Sequence, residues 1–393
     1  MKLKKEIKKI KNEESVIKID KEIIKNSLYN TLNIGIISIF NFLISVVISR
    51  SFNKPMFGSY LLIISIFTSL SIFSIPGLKT LIYKTSSRNL DGTYKKSIHL
   101  SFYSSFISSV SLILFGVYFI FFNESFYHKE MGISLIIISI FAPFYFSLDF
   151  WDLFFRGKER FNICFISNLF ILYTSLKSIF NIIITKYSFR YIKSNDLEEN
   201  WKIKGFKLTI MDVSSIIYNF LDSIIIGLLL PLELLAIYGL TLSITNAIVS
   251  ILLASIQVFI PRIYKSSKDI SRKSLLILFI SGFIISFLLG FVIQYPILIF
   301  YGSKYIEVIF YTKIFLYVLP FSILSAFMGP YLVKYNMLKE INISKIITIS
   351  STIILYIVTI PILGLIGAVF SSIGFFLIQD IIMFIYLKNN NRI

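Results

Sequence analysis

The chain has 393 residues, of which 56% are hydrophobic and only 15% charged, and it carries a net charge of +18. A soluble domain is closer to 25% charged, so the composition excludes a soluble fold and points to a polytopic membrane protein. A single cysteine, Cys164, and two histidines, His99 and His128, exclude an internal disulfide and leave little for a metal centre or a histidine-based active site.

Residues 1–30 are a lysine-rich lead in which Leu3, Ile7 and Ile10 share one helical face. A positive segment before a first span stays cytoplasmic and lies against anionic lipid. About 20 apolar residues cross a bilayer. On that rule the first half reads as spans at 31–49, 56–75, 99–122, 131–150 and 161–185. The second half reads as spans at 206–229, 232–260, 275–300, 306–333, 344–362 and 363–388. Pro76-Gly77 and Gly302 mark turns at span ends. The domains expected are the lead at 1–30, a first lobe at 31–185, a polar linker at 186–205 and a second lobe at 206–388.

The basic residues fix orientation. Lys79, Lys84, Arg88, Lys95 and Lys96 follow the second span, and Arg156, Lys158 and Arg160 follow the fourth. Arg262, Lys265, Lys268, Arg272 and Lys273 fill a matching loop of the second half, as do Lys334, Lys339 and Lys345 in another. Both termini are therefore expected in the cytoplasm, and the lysines are topogenic rather than a nucleic-acid platform. The linker breaks this pattern. Lys186, Arg190, Lys193, Lys202 and Lys204 place it inside, whereas five preceding spans place it outside. Either one span has been lost, or residues 161–185 enter the membrane and return. The reading favoured is a lost span, with the second half in its usual orientation, the fifth segment forced into an unusual path and Lys193 cytoplasmic, giving about 11 helices.

The halves repeat. Displaced by 178 positions, Asn41, Ser45 and Tyr60 fall on Asn219, Ser223 and Tyr238. Ile82-Tyr83-Lys84 returns as Ile263-Tyr264-Lys265, Pro143-Phe144 as Pro320-Phe321, and Lys158-Glu159 as Lys339-Glu340. Internal repeats of this kind mean two copies of one helical design. Pro143 and Pro320 are hinge candidates, because proline inside a span removes a backbone bond.

Several short motifs occur in order: Ile48-Ser49-Arg50 with Phe57-Gly58-Ser59-Tyr60, Pro76-Gly77-Leu78, Phe155-Arg156-Gly157-Lys158-Glu159-Arg160, Leu221-Asp222-Ser223, Ala236-Ile237-Tyr238 and Tyr301-Gly302-Ser303-Lys304-Tyr305. On them the chain resembles the O-antigen-type polysaccharide flippases of the multidrug/oligosaccharidyl-lipid/polysaccharide (MOP) exporter superfamily. The resemblance implies an all-α fold of two pseudo-repeated lobes around a central cavity, one helix short of the usual 12. It implies a transporter of the inner membrane that moves a polyprenyl-pyrophosphate oligosaccharide to the outer leaflet. It also implies a polysaccharide polymerase and assembly proteins as partners beside membrane lipids. No cofactor is called for, and H+ and Na+ both stand as coupling ions.

Charges inside spans are expensive and so are functional candidates. Lys177, Lys313 and Arg50 are the candidate contacts for pyrophosphate or sugar, with snorkelling to the interface as the alternative for each. Asp222, which replaces Ile44 of the first repeat, is a candidate to pair with a lysine or hold a cation, and Asp380 to face the cytoplasmic mouth. Asp149 and Asp152 belong by default to the interface. Tyr145, Tyr173, Tyr218 and Tyr331 are candidates to stack on sugar. A multidrug or organic-cation antiporter would want acids in the first span, which has only Asn33 and Asn41. A polymerase or glycosyltransferase would want a large loop with clustered acid–base residues, and there is none, so the chain is not expected to be an enzyme.

Overall fold

The computed structural model describes residues 29, 32, 35–122, 126–164, 166–167, 177–257, 271–335 and 337–390. The described residues form helices and their connections, with no strand among them. Seven helices, and an eighth bent pair, are long and apolar enough to cross a membrane. The protein is an all-α, multi-pass membrane protein.

The first lobe begins with α1 (Gly35–Ser51) and α2 (Lys54–Ser69). Asn53 caps α2 by accepting a bond from the Met56 N–H, and Pro55 sits in its first turn, where no N–H is needed. A tight 3-10 turn at Leu70–Ser74 ends this span. Ile75 then takes a left-handed conformation (φ 57°), which is costly for a β-branched residue. It swings the chain into the short helix α3 (Gly77–Ser87). The long α4 (Gly92–Phe122) returns across the bilayer. α5 (Phe126–Ser139) comes back and breaks into α6 (Ala142–Ser147) and α7 (Trp151–Gly157), with a bend of 59° at the break.

Pro143 sits at that bend, and its repeat partner Pro320 follows a 3-10 turn (Leu316–Val318) in a span that runs on from Glu307 to Lys334 without such a bend. A proline leaves the carbonyl four residues earlier without its helical donor. Those carbonyls belong to Ser139 and Leu316, and each receives a serine hydroxyl from the neighbouring span: Ser109 at 2.8 Å and Ser286 at 2.9 Å. Ser109 and Ser286 are themselves 177 positions apart, the displacement of the two prolines. The repeat therefore preserves both the proline and the serine beside it.

The second lobe comprises α9 (Trp201–Leu229), α10 (Leu232–Gln257), α11 (Arg272–Val292) with its extension α12 (Gln294–Tyr301), α13 (Glu307–Phe315) continued as α14 (Leu319–Lys334), α15 (Leu338–Leu363) and α16 (Leu365–Asn389). Between the lobes runs α8 (Lys177–Ser188).

The described ends of the fifth segment are placed by side-chain contacts. Its two ends lie together: the Arg160 guanidinium stands over the Tyr191 ring at 4.4 Å, and Phe155 packs edge-on against the same ring at 5.4 Å. The described part of α8 runs from Lys177 to Ser188. It packs inside the lobe, where Asn181 accepts from the Trp151 indole and Thr185 donates to the Leu148 carbonyl. The described ends of the segment therefore lie on one side of the bundle, and among the described residues seven helices, with the bent pair as an eighth, are long and apolar enough to cross.

This placement disposes of the charge conflict, because the linker falls back among the basic loops. Buried Asp91 pairs with Lys158 at 2.7 Å and accepts the Lys193 backbone N–H at 2.7 Å. Thr93 accepts from the Glu198 N–H, and a Cβ on Gly92 would lie 2.2 Å from the Asn195 carbonyl. Lys204 bonds Glu198 at 2.6 Å and holds its carboxyl below the ordinary glutamate value. α9 starts at Trp201, earlier than the expected 206.

Two outcomes follow. Cysteines placed at Lys95 and Lys193 in a Cys164→Ser background will react with an impermeant reagent from one side of the membrane, and a cysteine at Lys304 from the other. Ser109→Ala and Ser286→Ala will each lower stability by about 1 kcal/mol in detergent-unfolding measurements, since each removes a side-chain donor from the carbonyl four residues before a proline.

Candidate functional site

The apolar cores show where the lobes meet. At the end carrying residues 50–54 and 299–307, here the far end, one continuous cluster takes Phe57, Leu62 and Ile66 from α2 together with Ile226, Leu235 and Tyr305. At the linker end there are two separate clusters. One holds Leu78, Trp151 and Phe154 with Trp201 of α9, and the other holds Leu275, Leu332 and Leu387 of the second lobe alone. The lobes are joined at the far end and part toward the linker end.

α2 is the contact helix. A Cβ on Gly58 would sit 1.8 Å from the Leu232 carbonyl, so only glycine lets the backbones approach this closely. Beyond it the far end is fastened by polar bonds that each lobe gives to the other. Arg50 donates to the carbonyls of Phe300 (2.7 Å) and Ile299 (2.6 Å), the exposed C-terminal end of α12. Lys304 donates to the carbonyls of Ser49 and Phe52 at the end of α1. Each cation thus caps the negative end of the other lobe's helix. Lys54 adds an ion pair to Glu307 at 2.6 Å, and Ser45 a bond to the Tyr301 hydroxyl at 2.9 Å. Burial and the neighbouring Lys54 pull Lys304 below the ordinary lysine value.

Where the lobes part lies a cavity of about 470 Å³. Thr68, Ser71 and Ser74 line it from the end of α2, Lys79 and Thr80 from α3, Tyr145 and Asp149 from the broken span, and Ile216 and Phe220 from α9. Lys79 and Asp149 pair across it at 3.1 Å, both about a third exposed. Thr68 donates its proton to the Ile64 carbonyl and Ser74 to that of Ser71, which leaves their oxygen lone pairs as acceptors. These hydroxyls, an aromatic ring and one ion pair interrupt walls that are otherwise mostly apolar, a lining compatible with a sugar ligand.

Of the residues singled out from the sequence, Tyr145 lies on this cavity. Asp149 also lines it, paired with Lys79 rather than left at the interface. Arg50 is engaged in the far-end clasp. Asp222 is buried in the second lobe, where it accepts from the Tyr238 hydroxyl at 2.9 Å and the Ser223 N–H at 2.6 Å. Ser372 and Tyr356 extend that network, and among the described residues no lysine joins it. Lys313 is half-buried on α13 and Asp380 lines a separate crevice of the second lobe. Tyr331 packs against the second lobe's own core at the linker end. Lys177 opens α8, and its side chain lies outside the described residues, as do those of Tyr173, Tyr218 and Asp212. Lys79 was counted among topogenic loop charges. What could have marked it is its position directly after the Pro76-Gly77 break, where an apolar span yields to a short amphipathic helix.

Residues 23–187 match the family model described as polysaccharide biosynthesis protein. Across 94% of this chain and 95% of the other, the structure is similar to a MOP-superfamily transporter from Pyrococcus furiosus, at 14% identity and a TM-score of 0.55. It is also similar to the MATE multidrug transporter DinF-BH, at 12% identity and a TM-score of 0.58 over 95% and 96% of the two chains. The fold is that of the MOP-superfamily transporters. An outward-facing MATE-family multidrug resistance transporter is similar at 14% identity and a TM-score of 0.51, over 94% and 95% of the chains. No curated protein matches the sequence. The resemblance read from the motifs thus holds at the level of the fold.

In a MOP fold whose lobes rock, the clasp opposes opening at the far end. Arg50→Ala with Lys304→Ala will widen the 54–307 separation, read by spin-label distances between cysteines at those positions. The disulfide of a Lys54→Cys, Glu307→Cys pair will hold the far end shut and stop turnover until it is reduced.

Proposed function

We propose that this chain carries a polyprenyl-pyrophosphate-linked oligosaccharide from the cytoplasmic to the outer leaflet of the inner membrane by alternating access. The observation that carries the reading is the cavity between the lobes, opening where the lobes part. Its acceptor hydroxyls suit sugar O–H donors, Tyr145 offers a stacking face, and Lys79 is the cation nearest at hand for a phosphate. The basic loops favour a cytoplasmic linker end and cytoplasmic termini. On that orientation the far-end clasp closes the outer side, and the cavity faces the leaflet in which lipid-linked sugars are assembled. Lys84, Arg88, Lys95 and Lys96, all exposed in α3, the start of α4 and the loop between them, attract an anionic headgroup over the distance that salt leaves unscreened. The match to the polysaccharide biosynthesis model supports the same cargo. A polysaccharide polymerase and its assembly proteins are the proposed partners, and no catalytic role is proposed.

An organic-cation antiporter is the second reading, favoured by Asp149 in the same cavity and by the multidrug transporters of this fold. The two readings separate on purified protein in proteoliposomes. A lipid-linked oligosaccharide carrier will move it, and Lys79→Ala will slow it at least tenfold, whereas Asp149→Asn will be tolerated. Uptake of a cationic dye that is lost in Asp149→Asn, with no movement of the lipid-linked sugar, would replace the first reading by the second.

A further inference from the structure

The second lobe holds a crevice on its flank, independent of the cavity between the lobes. It measures about 430 Å³ and is lined by residues of α11, α14 and α16 alone. Its walls are Leu276, Phe279, Phe321, Leu377 and Ile381, several of them exposed where the bundle meets its surroundings. Two charged residues interrupt this apolar lining. Arg272 stands at the start of α11, and Asp380 is only 6% exposed. Ser325 donates to Asp380 Oδ1 at 2.5 Å, while Oδ2, buried as well, has no partner among the described residues.

A buried carboxylate oxygen without a donor inside a membrane is expensive. The depth of Asp380 indicates what supplies that donor. α16 has 25 residues, about 37 Å of helix against a hydrocarbon core of about 30 Å. Asp380 lies nine residues from its end at Asn389, which puts the carboxylate about 10 Å inside the hydrocarbon. The ammonium of a phospholipid headgroup stays outside that boundary. A cation at this depth is carried by a transmembrane helix, whose apolar side chains would also fill the groove between α11, α14 and α16.

We propose that this crevice is a docking site for a membrane-spanning helix of a partner protein. That helix places one lysine or arginine about 10 Å inside the membrane against Asp380, and an acidic residue at its end against Arg272. The assignment does not depend on what the transporter carries. Asp380, considered from the sequence as a cargo contact, is here a partner contact.

The test uses the full chain reconstituted in lipid nanodiscs with a synthetic single-span leucine–alanine helix bearing a fluorescent acceptor. The probe carries a terminal glutamate and one lysine about two turns inward. A donor on Ile385→Cys, in a Cys164→Ser background, reports association. Binding of the lysine helix is expected to exceed that of the same helix with leucine at that position by between about threefold and twentyfold. The preference should vanish in Asp380→Asn, which retains the partner for Ser325. Arg272→Glu should weaken the glutamate-ended helix and favour a lysine-ended one. Equal binding of the lysine and leucine helices by the unmodified crevice would overturn the proposal, and that comparison needs no Asp380 variant to fold. It would equally be overturned by Asp380-dependent enrichment of ethanolamine lipid in native mass spectra without helix preference, which would make this a lipid site. A photocrosslinker at Ile381 that joins only to its own chain would overturn it as well.

Discussion

A peptide carbonyl inside hydrocarbon must find a donor, and that requirement shapes this molecule more than any side-chain charge. Each lobe carries a proline within a span, and each proline removes the helical donor of one carbonyl where water cannot reach it. The answer is the same in both: a serine on the adjacent helix. α4 extends the solution. Ser101 and Ser108, both fully buried, donate to the carbonyls of Ser74 and Leu70 at the 3-10 end of α2. A serine is small enough to let helices approach and polar enough to mend an interrupted backbone, so close packing and hydrogen-bond satisfaction come from one residue type. The far-end clasp obeys the same rule at helix termini, where Arg50 and Lys304 each supply donors to the last carbonyls of a helix in the opposite lobe.

The first lobe is not left open at the linker end. Tyr94 stacks on Phe154 at 4.3 Å and bonds Ser188 of α8 at 2.7 Å. The linker then lies across Gly92 and closes over Asp91. Trp201, the first residue of α9, enters the same core. α9 therefore belongs to the first lobe at the linker end and to the shared core at the far end, and it is the element about which the two lobes differ in attachment.

Much of this was readable from the residues, for physical reasons that can be named. Hydropathy located the spans because lipid imposes length and apolarity on each one independently. The repeat located the two equivalent prolines, since a proline in a span is visible wherever it stands. The polar linker announced that something was wrong with the fifth segment, but charge and span counting alone do not choose between a lost crossing and a return. The two ends are placed by the Arg160–Tyr191 contact, which depends on three-dimensional closure. The site was legible to a lesser degree. Lys79 and Asp149 are 70 positions apart, and each looks like an interfacial charge until α3 folds against the broken span. Arg50 showed its charge at the end of a span but not its acceptors, which are backbone carbonyls and so have no sequence signature. Asp222 showed as an acid in an apolar run, whereas the tyrosine and serine hydroxyls that surround it are too common in this chain to be read as partners.

The distribution of contact chemistry sets the direction in which the molecule is held. At the far end the lobes share both an apolar core and a polar clasp, whose partners are helix ends rather than tailored side chains. Such bonds are individually modest and exposed to solvent, so they can be broken and remade. At the linker end the lobes are held together chiefly through α9, and the rest of the second lobe packs on itself. Pro143 and Pro320 each stand beside a serine that donates to the carbonyl four residues before them. The proline and the serine recur at one displacement, so the repeat carries them as a unit.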